Sequence, residues 1–218
     1  MAAANANKGT KWQAVKSSLT RDRIVIATLE CIVEFGYEST TMAKIAEMAK
    51  VSQGSMQYHF PAKMDAIKAA INYLHAKRLT DHQRDLEDIP AGVDPMAHAI
   101  EVYWHHLSEG HYVAYQDLVI AARTDAELAS VLRPAYQRFV KAWRRDALNM
   151  IPELSGKREQ FELICDIGQY QMEGLAFGRL NGQINVQAEF RLALMFPYSD
   201  RVTNFSKVDL RSVFNSIF

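Results

Sequence analysis

Two apolar-periodic segments of about two helical turns each, 41–49 and 53–60, flank the three-residue turn Lys50-Val51-Ser52. In the first, Met42, Ile45, Ala46 and Ala49 share one face; the second stops at Pro61, which cannot continue a helix. Ala46 is small where the two helices must cross closely, and Ile45, Val51, Met56 and Phe60 supply an apolar plug behind them. Two short helices joined by so tight a turn match a helix-turn-helix unit.

The flanking sequence extends this pattern without a strand. Ile24, Ala27, Cys31 and Phe35 recur at helical spacing, with Thr20 placed to cap the start and Gly36 to end the helix as a left-handed C-cap. Further helices are expected over 62–82, 95–109, 111–123, 125–151 and 155–181, and an acidic loop over 85–94. Leu132, Tyr136, Phe139, Trp143 and Met150 make a stripe in a helix that Pro134 should kink. The tail, with Pro197, reads as one or two short helices. Only 10 Gly and 6 Pro occur in 218 residues, so breakers are scarce. The expected class is all-α: a flexible arm at 1–19, a helix-turn-helix domain at 20–66 and a larger helical domain at 67–218.

Lys plus Arg and Asp plus Glu each number 25, which excludes a uniformly polycationic chain. The balance is uneven, because residues 1–63 hold 8 basic against 5 acidic side chains, a net of +3. A basic head on an acidic body suits a polyanionic partner at one end, and Lys8, Lys11 and Lys16 of the arm could reach phosphates or a minor groove. Cys31 and Cys165 form no metal-binding pair, and no apolar run approaches membrane-spanning length. These features point to a soluble protein of the reducing cytoplasm, with no cofactor.

The ordered series Phe35-Gly36-Tyr37, Thr40-Thr41, Ile45-Ala46, Val51-Ser52-Gln53-Gly54-Ser55, Tyr58-His59-Phe60 and Lys63 resembles the DNA-binding domain of the TetR family of transcriptional regulators. The likeness covers about residues 20–66. It implies that Gln53, Ser55 and Gln57 face the major groove, where a Gln amide can pair with adenine through two hydrogen bonds. Thr41, Tyr58, His59 and Lys63 then match positions that touch phosphates, and Lys44 joins them as a DNA-binding candidate. Ser52 can cap the second short helix, while Gly54 and Ser55 leave room to approach base edges. Lys50 departs from the family, which commonly places Gly at that turn; Gln57 and Ala43 depart as well.

A single reading helix contacts too few base pairs to be selective, so a dimer is expected. The 155–181 helix is apolar on two sides: Leu163, Ile167, Tyr170, Gly174 and Phe177 on one, and Phe161, Cys165, Gly168, Met172 and Leu175 on the other. The second stripe, with Gly178, is the candidate interface. By resemblance the middle helices enclose a small-molecule cavity. Candidate contacts are Tyr103, Trp104, His106, His111 and Tyr115, together with Gln116, Arg123, Phe139, Trp143 and Tyr170, with Tyr136 near them. A mostly apolar or amphipathic effector, oriented by a His or Tyr, would suit them. His98, Glu101, His105 and Glu109 share a helical face, but no HExxH or Cys/His cluster supports a metal site. No GxSxG, P-loop or GxGxxG motif supports an enzyme. The function expected is a ligand-responsive regulator, a repressor by family tendency, that binds a pseudo-palindromic operator as a dimer. The alternative is a ligand-independent DNA-binding or partner-binding protein with a filled helical body.

Overall fold

The computed structural model describes residues 2–93, 95–150, 156, 158–180 and 182. Among them the regular elements are α-helices: α1 (Ala2–Ser39), α2 (Met42–Met48), α3 (Gln53–His59), α4 (Lys63–Glu87), α5 (Pro95–His106), α6 (Gly110–Ala121), α7 (Ala126–Met150) and α8 (Arg158–Leu180). The expected tail helices lie outside the described residues. The described residues fall into two compact units, one holding 2–84 and 108–149, the other 85–107 and 158–180.

In the first unit, α1 packs on α2 and α6, and α2 packs on α3. Its core joins Ile24, Val25, Ala27 and Cys31 of α1 to Ile45 and Ala46 of α2, Met56 of α3 and Phe60 beyond it. Fully burying a side chain such as Ile45, Met56 or Phe60 contributes about 1.5–3 kcal/mol. This docking holds two helices of seven residues each, lengths that are unstable alone in water. The apolar plug is therefore the one the residue pattern implied.

Three local expectations change. Thr20 does not cap a helix start: its Oγ1 donates to the Lys16 carbonyl inside α1, which runs helical through the stretch expected as an arm. Gly36 has the expected positive φ, 78°, but its ψ of 161° is not that of a left-handed C-cap. That conformation is essentially restricted to glycine. The chain then closes a turn through the Thr40 amide and Oγ1, both donating to the Gly36 carbonyl. Residues 85–87, expected in the acidic loop, belong to α4.

Beyond that turn Tyr37 ties the head to α6 and α7. Its amide donates to Asp117 of α6, and its hydroxyl donates to Asp125 Oδ2 at 2.7 Å. Asp125 in turn accepts from the Leu128 amide, closing the first turn of α7. Lys63 Nζ donates to the Tyr37 carbonyl at 2.9 Å and lies 4.4 Å from the ring centroid. Burial lowers the Lys63 ammonium below its usual pKa. Burial, reinforced by the Asp125 hydrogen bond, raises the Tyr37 hydroxyl's pKa.

In the second unit, Tyr103 of α5 donates to Glu173 Oε1 of α8 at 2.9 Å, and Gln169 donates to the same oxygen. Phe161, Gly168, Met172 and Ala176 form the buried side of α8. No helix among the described residues is long and apolar enough to cross a membrane.

Candidate DNA-binding and effector sites

Thr41 and Ser52 set the two short helices in register. Thr41 Oγ1 accepts from the Lys44 amide at 3.3 Å, and Ser52 Oγ accepts from the Ser55 amide at 3.1 Å. Each hydroxyl thereby satisfies an otherwise unpaired N–H of a first turn. Between them Lys50 holds φ 54°, a left-handed conformation that L side chains adopt at a steric cost. The family's usual Gly would adopt it freely, and Lys50 pays that strain while its side chain stays exposed.

With Met56 and Phe60 directed inward, α3 turns Gln53, Gly54, Gln57 and Tyr58 to solvent. Tyr58 is 79% exposed and meets His59 edge to face at 5.1 Å. A Cβ at Gly54 would meet nothing within 4 Å, so no intramolecular packing demands glycine there. The polar outer face of α3 is thus open to an external surface. Ser55 and His59 are half-buried beside it.

The two lysines differ from the open residues. Lys44 Nζ donates to the Ser39 carbonyl at 2.9 Å and sits 4.3 Å from the Phe35 ring centroid; Lys63 is held on Tyr37 as described. Both cations have intramolecular partners.

The effector candidates are divided between the two units. Tyr115 and Phe139 lie in the first unit, where Tyr115 stacks on Tyr136 at 5.6 Å. Gln116 donates to Tyr112, and Trp143 packs against His82 at 5.4 Å. His111 is partly exposed beside Glu109 at 3.7 Å. Arg123 lines an open groove of about 440 Å³ with Thr124, Ala129, Ser130 and Arg133. Tyr103, Trp104, His106 and Tyr170 belong to the second unit. There Trp104 lies under Arg179 at 5.3 Å, and His106 Nε2 is 3.1 Å from Asp85 Oδ2. Tyr170 is 67% exposed. Periodicity places such residues on helix faces but cannot say which helices face one another.

The helix pattern passed over His75 and Arg78, which continue the buried stripe Ala66, Ile67, Ala70, Ile71 and Leu74 of α4. Their spacing, three apart on an otherwise apolar face, marks the two positions but not the rings that surround them. His75 stacks on Phe139 at 5.3 Å and meets Tyr115 edge-on at 5.8 Å. Arg78 lies 4.3 Å from the Phe139 ring centroid and 5.1 Å from that of Tyr115. Among the described residues no three His, Cys, Asp or Glu side chains are placed to hold a metal ion.

The two stripes of α8 are reversed from expectation. Phe161, Gly168 and Met172, expected at a dimer interface, face inward, and Cys165, Leu175 and Gly178 are half-buried. Leu163, Ile167, Tyr170 and Phe177 are the exposed row, with Gly174 open among them. Both stripes are apolar, so only packing against α5 could tell them apart.

Residues 24–70 match the sequence model of the family described as bacterial regulatory proteins, tetR family. An uncharacterized HTH-type transcriptional regulator of Mycobacterium tuberculosis is 25% identical over 170 residues, covering 78% of this chain and 87% of the relative. A crystal structure of a putative TetR-family regulator from Rhodococcus sp. superposes with a TM-score of 0.59 at 20% identity, over 80% of this chain and 95% of that one. The regulator FadR from Bacillus subtilis, solved with stearoyl-CoA, gives a TM-score of 0.59 at 17% identity, over 79% and 95%. Residues 24–70 thus carry a DNA-binding domain of the tetR type, and along most of its length the chain is similar to an HTH-type regulator of transcription and shares the helical fold of such regulators.

Proposed function

We propose that the chain is an effector-responsive repressor of the cytoplasm that binds a pseudo-palindromic operator as a homodimer and leaves it when a small molecule occupies the helical body. The observation that carries the DNA-binding half is the outer face of α3, where Gln53, Gly54 and Gln57 are exposed while Met56 anchors the helix from behind. Gln53, Ser55 and Gln57 read base edges, and Thr41, Ser52, Tyr58 and His59 meet phosphates. Lys44 and Lys63 add positive potential at the same end while fixing the backbone they bond. The head is 20–66 and the regulatory body 67–218.

Two heads are needed for selectivity, and the exposed row Leu163, Ile167, Tyr170 and Phe177 supports pairing of two chains through α8. Effector response draws on the Tyr37 contacts, which link the head to α6 and α7 within one unit. A molecule that binds one arrangement of these helices more tightly shifts the spacing of the heads. The stearoyl-CoA complex of the Bacillus subtilis protein supports a small-molecule role for the body.

The test selects bound fragments from random duplex DNA with the purified chain, then measures operator affinity against salt. Preference for a two-fold-related sequence, with log K falling about 0.9 per neutralised phosphate against log salt, supports the reading. Equal binding to scrambled duplex overturns it. Release of the operator by a screened small molecule separates the switched regulator from a ligand-independent one.

A further inference from the structure

We infer that the body's effector is an amphipathic monocarboxylate, its anionic head held by Arg78 and His75 of α4 and its apolar part against Tyr115, Tyr136 and Phe139. This rests on the effector-responsive reading above and names the ligand chemistry of that body.

The argument starts from unmet hydrogen bonds. His75 is only 6% exposed, and among the described residues neither of its ring nitrogens has a hydrogen-bond partner. Arg78 Nη1 is buried without one as well. Buried donors are almost always paired, so each such group in a native protein calls for an explanation. Spaced three apart, both side chains leave the same face of α4, and both pack on the rings of Phe139 and Tyr115.

Stacking satisfies the faces of these groups only. A guanidinium lying on an aromatic ring still carries N–H donors in its own plane, and these need an acceptor. Burial, then the nearby Arg78 and Arg138, push the imidazole down to about 3. His75 is therefore neutral at physiological pH and offers one N–H. Among the described residues the site thus presents two donors, a positive charge and aromatic walls, with no carboxylate among the groups that shift His75. A planar carboxylate accepts from both donors at once and is the anion that Arg recognises best.

The test uses the full-length protein and three acid/alcohol pairs: benzoate, 4-phenylbutyrate and decanoate, each against the alcohol of the same skeleton. Calorimetric titration is expected to show at least one acid binding about tenfold or more tighter than its alcohol. In R78M, which keeps the aliphatic stem, that ratio falls to about one. Alcohols binding as tightly as acids, no binding by any compound, or a ratio unchanged in R78M overturns the proposal. Should R78M fail to fold, the wild-type ratio alone decides. Operator release is read separately with the same compounds. Release by alcohols but not acids defeats the anion site and leaves the switch standing; acid binding with no effect on the operator keeps the site and defeats the switch.

Discussion

Replacing His75 by Phe should remove a specific acid sensitivity from the fold. In the folded chain the imidazole lies against Phe139, Tyr115 and Tyr136, with Arg78 and Arg138 as the charged groups that perturb it. Burial first, and those cations second, lower its pKa from 6.5 to about 3. In the unfolded chain it takes up a proton near its ordinary value. Between those two values the unfolded state binds more protons than the native state, so stability rises with pH and is lost on acidification. Each pH unit in this window is worth about 1.4 kcal/mol per group. Going from about pH 7.5 to about pH 5 crosses roughly 1.5 units of it, a loss of about 2 kcal/mol from His75 alone. That is a sizeable share of a typical total of about 5–15 kcal/mol. Phe keeps a stacking ring on Phe139 and does not titrate. Urea unfolding of both proteins at the two pH values, at fixed ionic strength and protein concentration, isolates the term, because every other titrating group is shared. The variant should lose about 2 kcal/mol less than the parent on acidification. Equal losses would refute the claim that His75 is buried neutral.

Four other outcomes follow from particular residues. Lys50→Gly relieves about 1–2 kcal/mol of left-handed strain against roughly 0.5–1 kcal/mol of added chain entropy. Its melting temperature should rise slightly; a fall means that Lys50 makes a compensating contact. Gly54→Leu should fold with unchanged or higher thermal stability, since a Cβ there meets nothing, yet lose roughly tenfold or more in operator affinity by gel shift. Operator affinity equal to the parent's would show that this face of α3 does not approach DNA. Ile167→Glu, on the exposed row of α8, should sediment as a monomer at low micromolar concentration with its helix content intact. Met172→Glu, only 5% exposed, should instead lose about 2–5 kcal/mol by burying a charge in place of an apolar side chain. A dimeric Ile167→Glu would move the interface elsewhere.

The amino-acid sequence by itself determined the head. Thr41 and Ser52 as caps and Lys50 as a turn residue follow from interactions within a few residues of one another, and the plug of Ile45, Val51, Met56 and Phe60 from apolar positions at helical spacing, which then dock on α1. Local spacing and capping chemistry leave such a motif one arrangement, with Gln53 and Gln57 outward. Tertiary structure decided what periodicity leaves degenerate. Phe161 and Leu163 both lie on apolar stripes of α8, and only packing within its unit turned the first inward and left the second exposed. The same holds for His75 and Arg78. Their residue types suggest solvated positions on α4, but the neighbours that surround them, Tyr115, Tyr136 and Phe139, come from α6 and α7, dozens of residues away. Desolvation is a property of what surrounds a group, so buried donors lacking acceptors became visible only once the helices were packed.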